Sequence, residues 1–553
     1  MNNFNKSLDK SLQLLYDYSS NFQISIELIQ KLAQHLKLET YIDTTTTPQR
    51  LTIAGSSILL DLDFENEKKV VDVSLSISGE EASSNGGNTK EHISSIQRDN
   101  THGITIIKLN TNQNHPVMFM TRRHETDAKS VVESILLDNL SQVKLGQFPI
   151  NLQYLANIDK YSNSIEVIEK IALLFYTINQ LEVEKQPDNW QIQQGLVNSV
   201  GLVKIHDIDQ KKIGLFLEFW QDFRFINHES DVAIGNKYNI QFTIIPSTYN
   251  HEYLSDNKFE IGQERIKFEF EDVNVSPEAW LFNLVLNHSI YIPTYILEYL
   301  GLEYTQEQQD SCRHISKELY EKFNQGQDLV DSINILDTNV SCSIINKLSI
   351  NFIPLKTIKI NRLSDIPLLI STLRNFVVLT NLYRSLLVQN NGGLKRRKST
   401  RRRRSSRISN DKELTEEIRK KLKQSLKLPN DVTDEELLGL NAISETATYS
   451  TIQPINNNNT LDLESFLNNN QEENLQAKQE NYFQLSLDEI DVNSNDLYLT
   501  IEAYSDIKEI FIKFKISNGE IKLLDEDLNE NNGKFIKILN LTEDFMVAIT
   551  SMY

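Results

Sequence analysis

Apolar residues recur at helical spacing from Phe4 to Leu38, where Leu28, Ile29, Leu32 and Leu36 are separated by polar Gln30, Lys31 and Gln34. This pattern predicts two short amphipathic helices. Strand patterning then takes over. Leu51 and Ile53 lead into Ile58–Leu60, and Val71, Val73, Leu75 and Ile77 alternate with Asp72, Ser74, Ser76 and Ser78. Such alternation predicts a half-buried antiparallel ribbon.

Residues 79–103 are rich in Ser, Asn and Gly and offer too little apolar surface to order themselves, which predicts a flexible insertion before strand character resumes at "GITIIKL". Helices are expected over Asp127–Leu140 and Ser164–Leu181, the second carrying Ile168, Ile171, Phe175 and Ile178 on one stripe. Between Gly201 and Val275 the runs "KIGLFLEFW", "YNIQFTIIP" and "ERIKFEFEDV" predict a second sheet. Helical spacing is read over Ala279–Phe323, strand over "SIINKLSINFIPLKTIKI", and helix again over Asp365–Val388.

The expected class is α+β. Its N-terminal helices occupy residues 1–45, a first α+β region 46–200, and a sheet-rich then helical region 201–388. A basic and then Asn-rich disordered linker follows at 389–481, with a short charged helix at Lys412–Lys427, before a β-rich segment at 482–553. No internal repeat of solenoid period is present.

Charge changes the picture only locally. The formal net charge is −20, yet the thirteen residues Lys395–Arg407 hold nine Lys/Arg and no acid, so the rest of the chain stands at −29. An acidic balance keeps a protein soluble and argues against nucleic-acid binding by the whole surface. The polar start and the lack of a long uninterrupted apolar run predict neither a signal peptide nor a membrane anchor. Cys312 and Cys342, thirty residues apart, form no disulfide framework or zinc motif, which fits a reducing, intracellular setting.

Chemistry is sparse. Gly55-Ser56 followed by Asp61, Asp63 and Asp72 resembles the start of a two-metal phosphoryl-transfer site, because residues two apart on a strand face the same way. The gap from Gly-Ser to the carboxylates leaves no room for a helix aimed at a phosphate, so the aspartates are read as the water-facing edge of a ribbon that buries Leu60, Leu62 and Phe64. Cys312 and His314 splay apart on a predicted helix and do not form a nucleophile–base pair. The histidines, among them His102, His115 and His124, lack metal-ligand spacing. No phosphate-binding glycine loop or nucleophile elbow is found. No enzyme, cofactor or small-molecule substrate is therefore expected.

The basic tract consists of Lys395, Arg396, Arg397, Lys398, Arg401, Arg402, Arg403, Arg404 and Arg407. It is a nuclear-import candidate read by an import adaptor, with phosphate contact on nucleic acid as the alternative. Ser399, Thr400, Ser405 and Ser406 lie inside it, and phosphorylating them would offset its charge.

The order of a helical start, "RLTIAGSSILLDLDF" with "KVVDVSLSIS", "LGQFPINLQYLANIDKYS" opening a helix, and "VGLVKIHDIDQKKIGLFLEFW" resembles the N-terminal region of the Mediator subunit 1 family, fungal branch, over roughly residues 20–390. The resemblance implies a non-enzymatic, nuclear transcription coregulator in the middle module of Mediator. Its partners would be other Mediator subunits such as 4, 7 and 9, and it would relay signals from gene-specific regulators to RNA polymerase II. Animal relatives carry L-x-x-L-L boxes for nuclear receptors. Here Ser11, Tyr383 and Asp434 stand where the first Leu of such a box would precede Leu14-Leu15, Leu386-Leu387 and Leu437-Leu438, so receptor docking is not expected by that route.

Overall fold

Seven α-helices and nineteen β-strands in four mostly antiparallel sheets make the fold α+β among the described residues. The computed structural model describes residues 18–45, 47–77, 93–109, 129–160, 164–186, 197–221, 237–246, 258–270, 280–302, 331–335, 338–346, 352–360, 362–387, 482–504, 509–524, 530–545 and 548. Two units divide the chain. One comprises residues 1–221, 236–314 and 352–376, the other residues 222–235, 315–351 and 377–553.

The first unit opens with the ribbon β1 (Glu39–Asp43), β2 (Gln49–Ala54), β3 (Ile58–Asn66) and β4 (Lys69–Ile77), an antiparallel meander. Alternation sends Leu51, Ile53, Leu60, Leu62, Phe64 and Val73 into the core. Helix α1 (Ile26–His35) covers β1 and β2 with Ile26, Ile29, Leu32 and Ala33 buried, while α2 (Val131–Leu140) packs on β4. Ser25 caps α1 by accepting from Leu28 N. The more N-terminal of the two expected helices lies outside the described residues.

Ser130 and Glu133 form a reciprocal cap at the start of α2, and Glu133 does more than cap. Its Oε1 accepts from Leu75 N at 3.0 Å, and Lys129 Nζ donates to Val73 O at 3.3 Å. Side chains at one helix start thus occupy backbone groups of the edge strand β4, which would otherwise offer a template for unwanted pairing.

A second sheet runs β10 (Lys258–Ile261), β11 (Glu264–Phe270), β6 (Ile104–Leu109), β5 (Ile93–Asp99), with β11 and β6 parallel. The third has the order β15 (Phe352–Ile360), β12 (Trp280–Pro293), β9 (Lys237–Pro246), β8 (Lys212–Gln221), β7 (Leu202–Asp207). Helices α3 (Phe148–Asp159) and α4 (Ser164–Lys185) pack against it, and α5 (Thr294–Tyr299) follows β12. In α6 (Ile366–Leu387), whose residues from 377 onward belong to the other unit, the length and composition would suit a bilayer, but Ile370, Leu373, Phe376 and Leu382 are buried.

In the second unit a six-stranded sheet has the order β13 (Asp331–Ile335), β14 (Thr338–Asn346), β16 (Tyr482–Ile490), β17 (Leu497–Tyr504), β18 (Glu509–Ser517), β19 (Glu520–Leu523). Helix α7 (Glu530–Thr542) packs against β19, with Phe535 and Leu539 buried. The ring of Phe545 lies 5.9 Å from that of Phe483 and 6.4 Å from that of Phe514. Asn540 closes this layer by accepting from Ile521 N and donating to Ile521 O.

Four expectations are corrected. Of the helical spacing expected over Ala279–Phe323, residues 280–293 form instead the fourteen-residue strand β12, because Trp280, Phe282, Leu284 and Leu286 alternate, while α5 is helical and residues 303–323 lie outside the described residues. A register shift between Val285 and Ile290 breaks that phase and imitates a helical repeat. The insertion read over 79–103 contains strand β5 from Ile93 onward, a polar edge strand whose Ile93 and Ile96 do not alternate. The sheet expected over Gly201–Val275 is two sheets, since β11 pairs with β6 far upstream. The strand run "SIINKLSINFIPLKTIKI" likewise splits between β14 and β15 in different sheets. The predicted helix at Lys412–Lys427 lies outside the described residues.

Replacing Glu133 by Ala should lower stability by about 1–3 kcal/mol, the usual cost of stranding a buried donor. Urea denaturation of the purified chain measures it, with Glu133→Gln retaining more stability than Glu133→Ala.

Candidate functional site

The sequence leaves Gly55-Ser56 and the aspartates beyond it to be placed as a reaction centre or as framework. Each aspartate is engaged by the ribbon or by Lys129, just ahead of α2. Arg50 lies across from Asp63 in register and donates to it from Nε at 2.7 Å and Nη2 at 3.0 Å. Thr52 Oγ1 donates to Asp61 at 2.6 Å, and Lys129 pairs with Asp72. The three carboxylates stand on the polar face, while Leu60, Leu62 and Phe64 are fully buried. Among the described residues no three His, Cys, Asp or Glu side chains gather as they would around a metal ion.

The Gly-Ser turn does hold an anion, but one from the same chain. Asp159, the last residue of α3, places its carboxylate in the β2–β3 hairpin. Ser56 N and Ser57 N each donate to it at 2.6 Å, Ser57 Oγ at 2.9 Å and Ile58 N at 3.0 Å. Turn amides oriented this way form the concavity that elsewhere receives phosphate. The fit requires glycine at position 55, where an added Cβ would sit 2.2 Å from Asp159 Oδ2. Burial pushes the Asp159 carboxyl up, yet the bonds from Ser57, Ser56 and Ile58 outweigh it and hold the group below its ordinary value.

The other end of α3 grips a second hairpin. Asn151 Nδ2 donates to Lys211 O at 2.9 Å, and Asn151 Oδ1 accepts from Ile213 N at 2.9 Å. Asn139 of α2 also donates to Lys211 O. Lys211 sits at φ 56°, an uncommon setting for a residue with a side chain, and these bonds help hold it there. One helix therefore fixes the β2–β3 turn of the ribbon and the β7–β8 turn of the five-stranded sheet. Its two grips are eight residues apart, about 12 Å along the axis at 1.5 Å per residue.

A third polar cluster secures the start of β7. Asn179 of α4 donates to Gly201 O and accepts from Val203 N, and Asn198 donates to the same Gly201 O. Gly201 needs its glycine because φ is 78° and a Cβ would meet Glu218 O at 2.9 Å. Glu182 accepts from Ser199 N, and the buried Arg374 donates to Phe219 O at 2.9 Å. Burial pulls the Arg374 guanidinium below its ordinary range, and Glu182 opposes that shift. Burial likewise raises the Glu182 carboxyl, against the Ser199 bonds and Arg374.

Apart from Gly55 and Ser56, none of these clamp residues stands out in the sequence. Arg374 had a signal in being the one charge within the apolar stretch "LLISTLRNFVVLTNLY", since an unpaired Arg is almost never fully buried. Asp159 and Asn151 had little, because α3 is buried on several sides and shows no clean polar face. The nine bases of 395–407, the serines and threonine among them, Cys312, His314, His115 and His124 lie outside the described residues. His102 sits in an exposed turn with Nδ1 2.8 Å from Asp99.

Asp159→Ala should cost about 1–3 kcal/mol by leaving turn amides unpaired. The contribution of the ionised group also fixes a pH dependence, because its folded value lies below the ordinary 3.8. The added stability is full above that unfolded value and is lost as pH falls through the lower folded one. Denaturation of wild type and Asp159→Ala from pH 7 downward should show a constant gap that narrows only below about pH 4.

The fold at this point is a set of sheets whose turns are held by side chains, with the ribbon acids spent on the framework. A comparison with curated proteins finds no match. The family model described as Mediator of RNA polymerase II transcription subunit 1 matches residues 9–266 and 263–388, which is more than half of the 553 residues. The chain belongs to the Mediator subunit 1 family.

Proposed function

We propose that this Mediator subunit, which takes part in transcription regulation, is a non-enzymatic framework of the middle module that relays signals from gene-specific regulators to RNA polymerase II. The observation that carries the reading is the family match over residues 9–266 and 263–388. Support from chemistry comes from the carboxylates of the early ribbon, which are taken up by Arg50, Thr52 and Lys129. An assembly subunit is selected for shape and surface, and polar clamps that set hairpin geometry serve that need. The fungal branch is the closer affinity on the sequence blocks.

A place in transcription implies a nuclear location, and the tract Lys395–Arg407 supplies a means to reach it. Nine positive charges in thirteen residues suit the acidic grooves of an import adaptor. Phosphates on Ser399, Thr400, Ser405 and Ser406 would each add a charge of about −1.5 to −2 and weaken that recognition.

The experiment compares the tagged chain with a variant carrying Gln at all nine basic positions. The unaltered chain is expected in nuclei, in stoichiometric amounts with other Mediator subunits, while the variant accumulates in the cytoplasm. Nuclear protein that co-purifies with no Mediator subunit would overturn the assembly reading. Unchanged nuclear accumulation of the variant would overturn the import reading, and duplex binding lost with the tract and steeply weakened by salt would favour its nucleic-acid alternative.

A further inference from the structure

The four-stranded ribbon ends in two edges, and its register shows which backbone groups each edge turns outward. Gly55 N donates to Ile58 O at 2.9 Å, so the β2–β3 hairpin closes on a hydrogen-bonded pair. Alternation from there makes Ile53–Leu60 and Leu51–Leu62 bonded pairs too, which leaves the backbone of Ala54, Thr52 and Arg50 to meet Glu39, Tyr41 and Asp43 of β1. The same phase turns Val73 and Leu75 outward on β4. There Asp72 accepts from Val73 N at 2.8 Å, Lys129 donates to Val73 O and Glu133 accepts from Leu75 N, so side chains close that edge. On β1 the outward residues are Thr40 and Ile42, and among the described residues nothing bonds to their N–H or C=O groups. Gln30 and Gln34 of α1 donate to Thr40 Oγ1, each at 3.2 Å, which steadies the strand and leaves its outer backbone open.

The side chains define what this edge takes. Glu39, Tyr41 and Asp43 share the outer face of β1, with Tyr41 67% exposed between the two acids. Arg50, the cation facing Asp43 across the register, is already held by Asp63. Thr40 and Ile42, both half-buried, share the other face. We infer that β1 is a docking edge for an extended segment of a partner protein in which basic residues alternate with apolar ones. The segment's backbone bonds to Thr40 and Ile42, its Lys or Arg side chains meet Glu39 and Asp43 and lie over the Tyr41 ring, and its apolar side chains continue the face of Ile42. A second copy of this chain fits poorly. Antiparallel pairing of two β1 strands about Tyr41 sets Glu39 against Asp43 twice, and like charges directly opposite destabilise a strand pair.

The probe is the terminally blocked peptide Lys-Val-Lys-Val-Lys-Val-Lys, added to the full chain and followed by hydrogen exchange. At saturating peptide the amides of Thr40 and Ile42 should exchange roughly tenfold more slowly than in the chain alone, while Leu75, already bonded to Glu133, keeps its rate. The same peptide methylated on its valine nitrogens, whose N–H groups face β1, should protect neither, and a peptide with Glu in place of Lys should not bind. Thr40→Pro removes one outward donor and no bond to β2, a change that edge strands tolerate, and should weaken binding by about tenfold. No protection by the unmethylated peptide would overturn the inference. Binding unaffected by valine methylation or by Thr40→Pro would overturn it too, since the peptide would then be attracted to the acidic surface at large. Protection in the chain alone would identify a second copy if it rises with protein concentration and another stretch of the same chain if it does not, and either result would overturn the assignment of a partner.

Discussion

A single carboxylate at the end of a helix organises the beginning of this fold. Asp159 takes three backbone amides and a hydroxyl of the β2–β3 hairpin, so a turn that resembles an anion site on paper is filled from within. Helix ends normally disfavour negative charge at the C-terminus, where carbonyl dipoles converge. Four donors offset that penalty, since bonds to an ionised acceptor are among the stronger ones. The same helix uses Asn151 to hold the β7–β8 turn, which makes α3 the strut on which two sheets of the first unit take their positions.

Burial supplies the rest. Alternating Leu51, Ile53, Leu60, Leu62 and Phe64 give the ribbon its buried face, and the polar clamps decide where its turns go. Hydrophobic burial is non-directional. Hydrogen bonds from Asp159, Asn151, Asn179 and Glu133 to backbone groups add direction, and a subunit that presents surfaces to neighbours depends on such fixed geometry.

How far the sequence could be read follows from this division of labour. The ribbon, helices α2, α4 and α6 and the strands after residue 482 are legible because their apolar residues recur at a regular period. Strand β12 was misread because its register slips between Val285 and Ile290, and the pairing of β11 with β6 was invisible because parallel partners so far apart leave no local trace. Helix α7 carries few apolar residues, and its Phe535, Ile536, Ile538 and Leu539 are crowded into its middle, so no stripe announced it. The aspartates of the ribbon were read as framework from the gap between Gly-Ser and Asp61. What filled the turn instead lay a hundred residues away, and only the fold brings Asp159 to Gly55. The family blocks were legible because their order survives in the sequence, and the match over residues 9–266 and 263–388 agrees with them.

The account stands on the seating of Asp159 against Gly55, and a double-mutant cycle on stability measures that seating directly. Gly55→Ala alone should cost about 1–3 kcal/mol, as overpacking does. In an Asp159→Ala background the same change should cost close to nothing, because the colliding carboxylate is gone. Strictly additive costs would contradict the account, for they would mean that the turn and the helix end do not meet as described and that the Gly-Ser turn is free for some other anion.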